Sequence, residues 1–248
     1  MNKIKLNSIS SNAPKGSNKG KHKRVLQKLH EELFGLQHLF YASHSYSLLI
    51  IFQGIDTSGK DGTIRHVFSH VNPLGVHATS FKAPCDMELE HEYMWRIFQK
   101  LPQKGMIRIF NRSYYEDILV PTIQKTLPAK NIEKRYDFIN AFERHLLDNK
   151  ILVLKFYLHV SEKEQKKRIK ARLTDPLKKW KYSDSDIESS RNWKNYMQVY
   201  ERILNRCGSV VPWVIVPADN KWYRNYLVAS TITRELKQLN LKYPTNKK

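Results

Sequence analysis

The longest purely apolar run in the chain is Leu48-Leu49-Ile50-Ile51-Phe52, and a second long run, ILVLKFYLHV at 151–160, is broken chiefly by Lys155. Short apolar stretches of this kind, rich in β-branched residues, predict strands buried on both faces. They place strands over about 47–53 and 151–160. VHATSF at 76–81, MIRIF at 106–110 and WVIVPA at 213–218 read as three more. Between them apolar positions recur at helical spacing. Leu26, Leu29, Leu33, Leu36 and Phe40 predict a helix over 25–43, and Ile132, Tyr136, Ile139, Phe142 and Leu146 one over 131–148. Further helices are expected over about 60–70, 87–100, 161–172, 185–206 and 221–240. Asn72-Pro73-Leu74-Gly75 marks a turn. Residues 173–184 lack an apolar period and read as a mobile loop.

Strands that alternate with helices imply an α/β fold. The expected architecture is a three-layer sandwich, with a mostly parallel sheet covered by helices on both faces. One domain is expected over 24–248, preceded by a disordered basic tail over 1–23. In open α/β sheets ligands bind beyond the C-terminal strand ends. The segments after the first, third and fourth strands are therefore where chemistry is expected: the loop from Gly54, residues 111–120, and residues 159–182.

Charge sharpens the picture. The 248 residues carry a formal net charge of +20. Residues 1–24 hold seven Lys/Arg and no acid, which leaves +13 on the rest. Such a balance implies an anionic partner: nucleic acid, an anionic surface or a highly charged phosphate compound. The two cysteines, Cys85 and Cys207, have no metal-ligand spacing and imply neither a disulfide framework nor a zinc site. No apolar run approaches the ~18 residues needed to span a membrane, and no apolar segment follows the basic N-terminus. A cytoplasmic protein without a membrane span is expected.

Residues 54–62 read GIDTSGKDG directly after the first strand. The spacing Gly54-x4-Gly59-Lys60 is that of a phosphate-cradling P-loop. Glycines let backbone N–H groups turn inward around phosphate oxygens, the helix N-terminus adds partial positive charge, and Lys60 adds a full one. Gly54, Thr57, Ser58, Gly59, Lys60, Asp61 and Gly62 are the candidate phosphate ligands. Asp61 stands where a metal-holding Ser or Thr is usual, and Asp56 puts a carboxylate inside the loop. The alternative is a glycine-rich turn with an exposed lysine.

After the third strand comes 111-NRSYYED-117. A strand followed by acidic groups is how many P-loop enzymes place their second metal-holding element. Arg112 is a candidate phosphate ligand, and Glu116 and Asp117 are candidates for metal or base. The alternative is a helix start with Ser113 as cap and Glu116 in a capping box. A third cluster, KEQKKRIKARLTDPLKKWK at 163–181, holds nine Lys/Arg and two acids. Arg168 and Arg172, four residues apart, share a helix side. They precede Asp175-Pro176 and the KKWK segment, as in a nucleotide-kinase lid that brings arginines over a transferring phosphoryl group. Lys82 in SFKAP is a weaker candidate. His66 and His70 lie four apart, but the sequence offers no third metal ligand. No Ser/His/Asp triad is evident.

These motifs together resemble the polyphosphate kinase 2 family. The resemblance runs through FQGIDTSGKDGTIRHVF, NPLGVHATSFKAP, IFNRSYYEDILV, RLTDPLKKWKYSDSD and VPWVIVPADNKWYRN, in family order, over about 48–230. It implies a P-loop kinase-like fold with a helical lid over about 161–190. The implied activity is Mg²⁺-dependent phosphoryl transfer between inorganic polyphosphate and AMP or ADP, forming ADP and ATP, with Mn²⁺ as a substitute metal. The FNRSYYED form resembles the branch that accepts both nucleotides, whose members usually carry Asp where Asn111 stands. The resemblance implies catalytic roles for Asp56, Lys60, Arg112 and Arg172. It implies metal roles for Asp56, Asn111 and Glu116, and nucleotide contacts for Asn111, Arg112 and Glu116. Arg168, Lys178 and Lys179 are further phosphate contacts, and a homo-oligomer, dimer or tetramer, is implied. A basic channel suits a polyanion, whose binding salt should weaken steeply. Two alternatives remain. One is an ATP-dependent nucleoside monophosphate kinase, against which Asp61 and the excess basicity count. The other is a basic nucleic-acid-binding protein, for which no motif with interleaved aromatics is present.

Overall fold

The structure is a computed structural model, and it describes residues 3–245. Five strands form one sheet: β1 (Ser47–Gln53), β2 (Val76–Ser80), β3 (Ile107–Asn111), β4 (Ile151–His159) and β5 (Trp213–Pro217). Every pairing is parallel, in the order β2-β3-β1-β4-β5. Every residue of β1 is buried, as its unbroken apolar run demands. Phe52 of β1 stacks on Phe156 of β4 with ring centroids 5.2 Å apart. The chain leaves β1 to build β3 on one side and β4 on the other, so the crevice of this sheet opens at the C-terminal end of β1. The register is level there, with Phe52 beside Asn111 and Gln53 beside Tyr157.

Helices α1 (Lys19–Ser43), α2 (Lys60–Val67) and α10 (Lys221–Gln238) pack together on one face. Helices α5 (Glu116–Gln124), α6 (Ala129–Asp148) and α9 (Trp193–Arg206) pack together on the other. The result is the three-layer α/β sandwich of the P-loop kinase type. Beyond β4 runs α7 (Glu162–Thr174), then a short 3₁₀ turn at Lys179–Lys181 and α8 (Asp184–Arg191). No helix among the described residues is long and apolar enough to cross a membrane.

Several expectations change. The helix over 87–100 divides into α3 (Asp86–Leu89) and α4 (Trp95–Phe98). The buried Arg96 reaches back to the Lys82 carbonyl at 2.9 Å and to Glu88 at 3.3 Å, which folds the second piece onto the first. The helix over 185–206 is likewise two, α8 and α9, broken at Asn192 (φ −100°, ψ 21°).

The tail over 1–23 is not disordered where it is described, since Met1 and Asn2 lie outside the described residues. Leu6 is buried, and Ile4 packs against the core. Asn205 brackets Ile4 by accepting from its N–H and donating to its carbonyl, and Glu201 accepts from the Leu6 N–H. Ser11 donates to Asp219, and Asn220 accepts from the Ala13 N–H. α1 then begins at Lys19, capped by the Asn18 side chain, six residues before the expected start. The lysines leave the segment hydrophilic on average, while two apolar residues and a set of paired backbone groups hold it down.

Lys155, the charged residue in an otherwise apolar strand, is fully buried. Its ammonium donates to Glu143 of α6 at 2.7 Å, the Tyr115 hydroxyl at 2.9 Å and the Cys207 carbonyl at 2.6 Å. Tyr114 and Tyr115 both donate to the other Glu143 oxygen. A buried charge is tolerated only with this degree of pairing. The pairing fixes the residues that lead into α5.

Candidate active site

The three segments expected to carry chemistry converge at the C-terminal strand ends. After β1 the chain turns through Gly54 (φ +146°), where a Cβ would meet the Leu158 carbonyl at 2.9 Å, and Thr57 (φ +64°). Lys60 opens α2 and is buried, its ammonium folded back on the Gly54 carbonyl at 2.6 Å. That geometry excludes an exposed lysine on an unstructured turn. Burial, with Arg112 nearby, lowers the Lys60 pKa. The hydroxyls of Thr57 and Ser58 are buried and unpartnered among the described residues.

From the end of β3, Arg112 (φ +64°) donates to Asp56 at 2.5 Å. Burial alone would raise the Asp56 carboxyl, but Arg112, Lys60 and Arg172 hold it below its ordinary value. Burial likewise opposes the Arg112 charge, which Asp56 and Glu116 secure. Asn111 donates to Asp61 at 2.6 Å and to the Ser80 hydroxyl at 2.9 Å. Glu116 is raised by burial, against the pull of Arg112 and Lys60.

The capping-box alternative for Ser113 and Glu116 is not realised. Tyr115 is the N-cap of α5 and no side chain caps it. The Ser113 hydroxyl instead accepts from Gln53 at 3.2 Å and from the Tyr115 N–H. Glu116 is left facing the loop cations.

The basic segment meets the loop through α7. Arg168 donates to the carbonyls of Thr57 at 3.0 Å, Ser58 at 2.9 Å, Ala218 at 2.7 Å and Asp219 at 3.2 Å. It also pairs with Glu164 at 2.9 Å. Its guanidinium thus braces the back of the loop. Arg172 is held by Asp186 at 2.9 and 2.7 Å and by the Lys181 carbonyl. Lys178 pairs with Asp175, and Lys178 and Lys179 are both exposed. Lys82, at the sheet edge, is exposed and makes no side-chain hydrogen bond among the described residues. The structure therefore brings Asp56, Lys60, Asn111, Arg112 and Glu116 together, with Arg168 behind them. Arg172 stays near enough for its charge to act on Asp56 while Asp186 holds it, whereas Lys178, Lys179 and Lys82 stand apart. His70 stacks on His30 of α1 with ring centroids 4.4 Å apart, and no cluster of three or more metal-ligating His, Cys, Asp or Glu is present among the described residues.

Sequence reasoning missed several residues here. Gln165 donates to the Asp56 carbonyl. Tyr196 and Tyr200 of α9 lie close enough to Asp56 and Glu116 to feel their charge. Arg224 of α10 lies against the loop at Ser58. Extending the strand-end rule to β5 would have pointed to Arg224, because α10 begins four residues after that strand ends.

The family model for polyphosphate kinase 2 matches residues 16–244. The chain belongs to the polyphosphate kinase 2 family. It is 42% identical over 221 residues to the AMP/ADP-polyphosphate phosphotransferase of Meiothermus ruber, covering 89% of this chain and 83% of that one. It is also 42% identical over 227 residues to the ADP-polyphosphate phosphotransferase of Rhodopseudomonas palustris, covering 86% and 78%. The crystal structure of polyphosphate kinase 2 from Arthrobacter aurescens TC1 superposes with a TM-score of 0.95 at 35% identity, covering 100% of this chain and 90% of that one. Family membership agrees with the resemblance drawn from the motifs.

Proposed function

We propose that this protein transfers a phosphoryl group between inorganic polyphosphate and AMP or ADP, forming ADP and ATP. The observation that carries the reading is the buried Lys60 beneath a loop with two orphaned hydroxyls, faced by Arg112 across Asp56. Cations gathered on one side of a backbone cradle suit a phosphate chain. The name of the Meiothermus ruber relative supports both nucleotides as acceptors.

The residues fit Mg²⁺. Asp56 and Glu116 are hard oxygen donors at the mouth of the loop, and Mg²⁺ is characteristically held by one or two carboxylates with substrate phosphates completing its shell. Asn111 adds a neutral carbonyl. Mg²⁺ would neutralise charge on the phosphates. Lys60 and Arg112 bind and align the phosphoryl group for in-line displacement, and their charge stabilises the negative charge that shifts between its oxygens in the transition state. Asp56 need not remove a proton, because phosphate acceptors are already ionised near neutrality. The segment 161–190 acts as a lid, in which Arg172 exchanges Asp186 for the transferring phosphoryl group.

The test is nucleotide product analysis. Purified protein, Mg²⁺ and long-chain polyphosphate are mixed separately with AMP and with ADP, and the products are resolved by chromatography. ADP and ATP from AMP, and ATP from ADP, are the expected result. Product from AMP only when ATP replaces polyphosphate would overturn the reading.

A further inference from the structure

Arg224, on the first turn of α10, is 2% exposed. Its Nε and Nη2 donate to the Asn225 side-chain oxygen at 3.2 and 3.0 Å, and its Nη1 lies 3.4 Å from the Ser58 carbonyl. No ion pair among the described residues includes it. The neighbouring charge that acts on it is another cation, Arg168, which has its own partner in Glu164. Burial, with Arg168 alongside, lowers its pKa. A buried cation without a counter-charge is costly.

Gly59 makes the arrangement possible. A Cβ at Gly59 would fall 2.0 Å from Arg224 Nη1, so the bare backbone lets the guanidinium lie directly against the loop. On the loop's other side is the cradle assigned to phosphate. Arg224 thus abuts the same residues, Ser58 and Gly59, that form the cradle, and at low effective dielectric charges held so near interact strongly.

We infer that Arg224 is a positioning residue whose counter-charge is the bound phosphate chain itself, so that it strengthens phosphate binding through the loop without touching the ligand. The inference rests on the proposed function. It predicts a dependence on charge: Arg224 supplies affinity for phosphate in both the ground and transition states, and so acts on KM more than on kcat.

The experiment compares wild type, Arg224→Met and Arg224→Lys. Affinity for inorganic tripolyphosphate is measured by calorimetry, and steady-state kinetics are run against polyphosphate. For Arg224→Met, tripolyphosphate affinity falls about tenfold and KM for polyphosphate rises about tenfold, with kcat within about threefold of wild type. Arg224→Lys restores most of the affinity. Unchanged tripolyphosphate affinity in a folded Arg224→Met overturns the inference and leaves Arg224 a packing residue. If Arg224→Met does not fold, Arg224→Lys and Asn225→Ala decide. Both disturb the same hydrogen bonds and keep the charge, so both must bind tripolyphosphate within about threefold of wild type, and a larger loss in either overturns the inference. Wild type that binds no tripolyphosphate would overturn the proposed function as well, whereas normal wild-type binding with an indifferent Arg224→Met overturns this inference alone.

Discussion

Arg112 closes an ion pair with Asp56 at 2.5 Å, joining the segment after β3 to the loop after β1. The two side chains are 32% and 17% exposed, so the pair sits at the mouth of the crevice. Each partner satisfies the other while the charges of substrate are absent. Under the proposed function, binding replaces that contact, with phosphate taking Arg112 and metal taking Asp56. Asp56→Asn removes the proposed metal ligand and keeps a side chain of the same size in the loop. It should raise the Mg²⁺ concentration needed for half-maximal rate, as measured by Mg²⁺ titration of initial rates at saturating polyphosphate and ADP. An unchanged Mg²⁺ requirement would remove Asp56 from the metal site.

Lys60→Ala deletes a full charge from the cradle. Turnover should fall by about 10²–10³, the loss typical of removing one preorganised charge-stabilising group. Far-ultraviolet circular dichroism should be unchanged, because the sheet and helices do not depend on the ammonium. Rates near wild type would place the phosphate elsewhere.

Arg172 is bound by Asp186, and the catalytic role proposed for it requires release from that partner. Arg172→Ala should lower kcat by about 10³ or more, as for other arginines that act on a transferring phosphoryl group. The KM for nucleotide should move far less. A variant that changes only KM would make Arg172 a binding residue.

Asp117 carries a pH signature. Burial, with Glu116 and Glu92 near, raises its carboxyl to about 6, against Arg96 and Arg135. Its Oδ2 is buried without a partner among the described residues. The folded state therefore holds this proton more tightly than the unfolded chain. That contribution is complete below the ordinary value of 3.8 and is lost as pH rises through about 6. At ~1.4 kcal/mol per pK unit the loss is up to about 3 kcal/mol. Urea denaturation at pH 4.5 and 7 should show a smaller difference for Asp117→Asn than for wild type. An equal or larger difference would contradict the assignment.

Glu143 and Lys155 form a pair with no exposure on either side chain. Glu143→Leu strands a buried ammonium and should cost about 3–5 kcal/mol, whereas pairing it with Lys155→Met should recover most of that loss. Denaturant melts of the two single variants and the double form a cycle that measures the coupling. Additive losses would mean that the two charges do not depend on each other.

The sheet was readable because its evidence is local. An unbroken apolar run such as 48–52 has few meanings, and its strand bounds agree with the structure at both ends. The core of the site was readable for the same reason, since Asp56, Lys60, Arg112 and Glu116 sit in two short motifs at strand ends. What escaped depends on contacts distant in sequence. Residues 3–18 look unstructured because their partners, Glu201, Asn205, Asp219 and Asn220, lie about two hundred residues away. Nothing near Arg224 announces that Gly59 leaves it room. The roles of Arg168 and Arg172 diverge for a similar reason: helical spacing puts them on one side, but only the fold decides that Arg168 meets the carbonyls of the loop and Arg172 meets Asp186.

The clasp on residues 4–13 also orders events during synthesis. Residues 4–13 are made well before the groups that fasten them, which lie after residue 200. The same turn at Ala218 and Asp219 receives Arg168, the brace of the loop. A nascent chain that already contains β1 and the residues around Lys60 therefore cannot yet finish the crevice. It must wait for β5 and the start of α10, so the crevice closes only when segments about 150 residues beyond its first loop have been made.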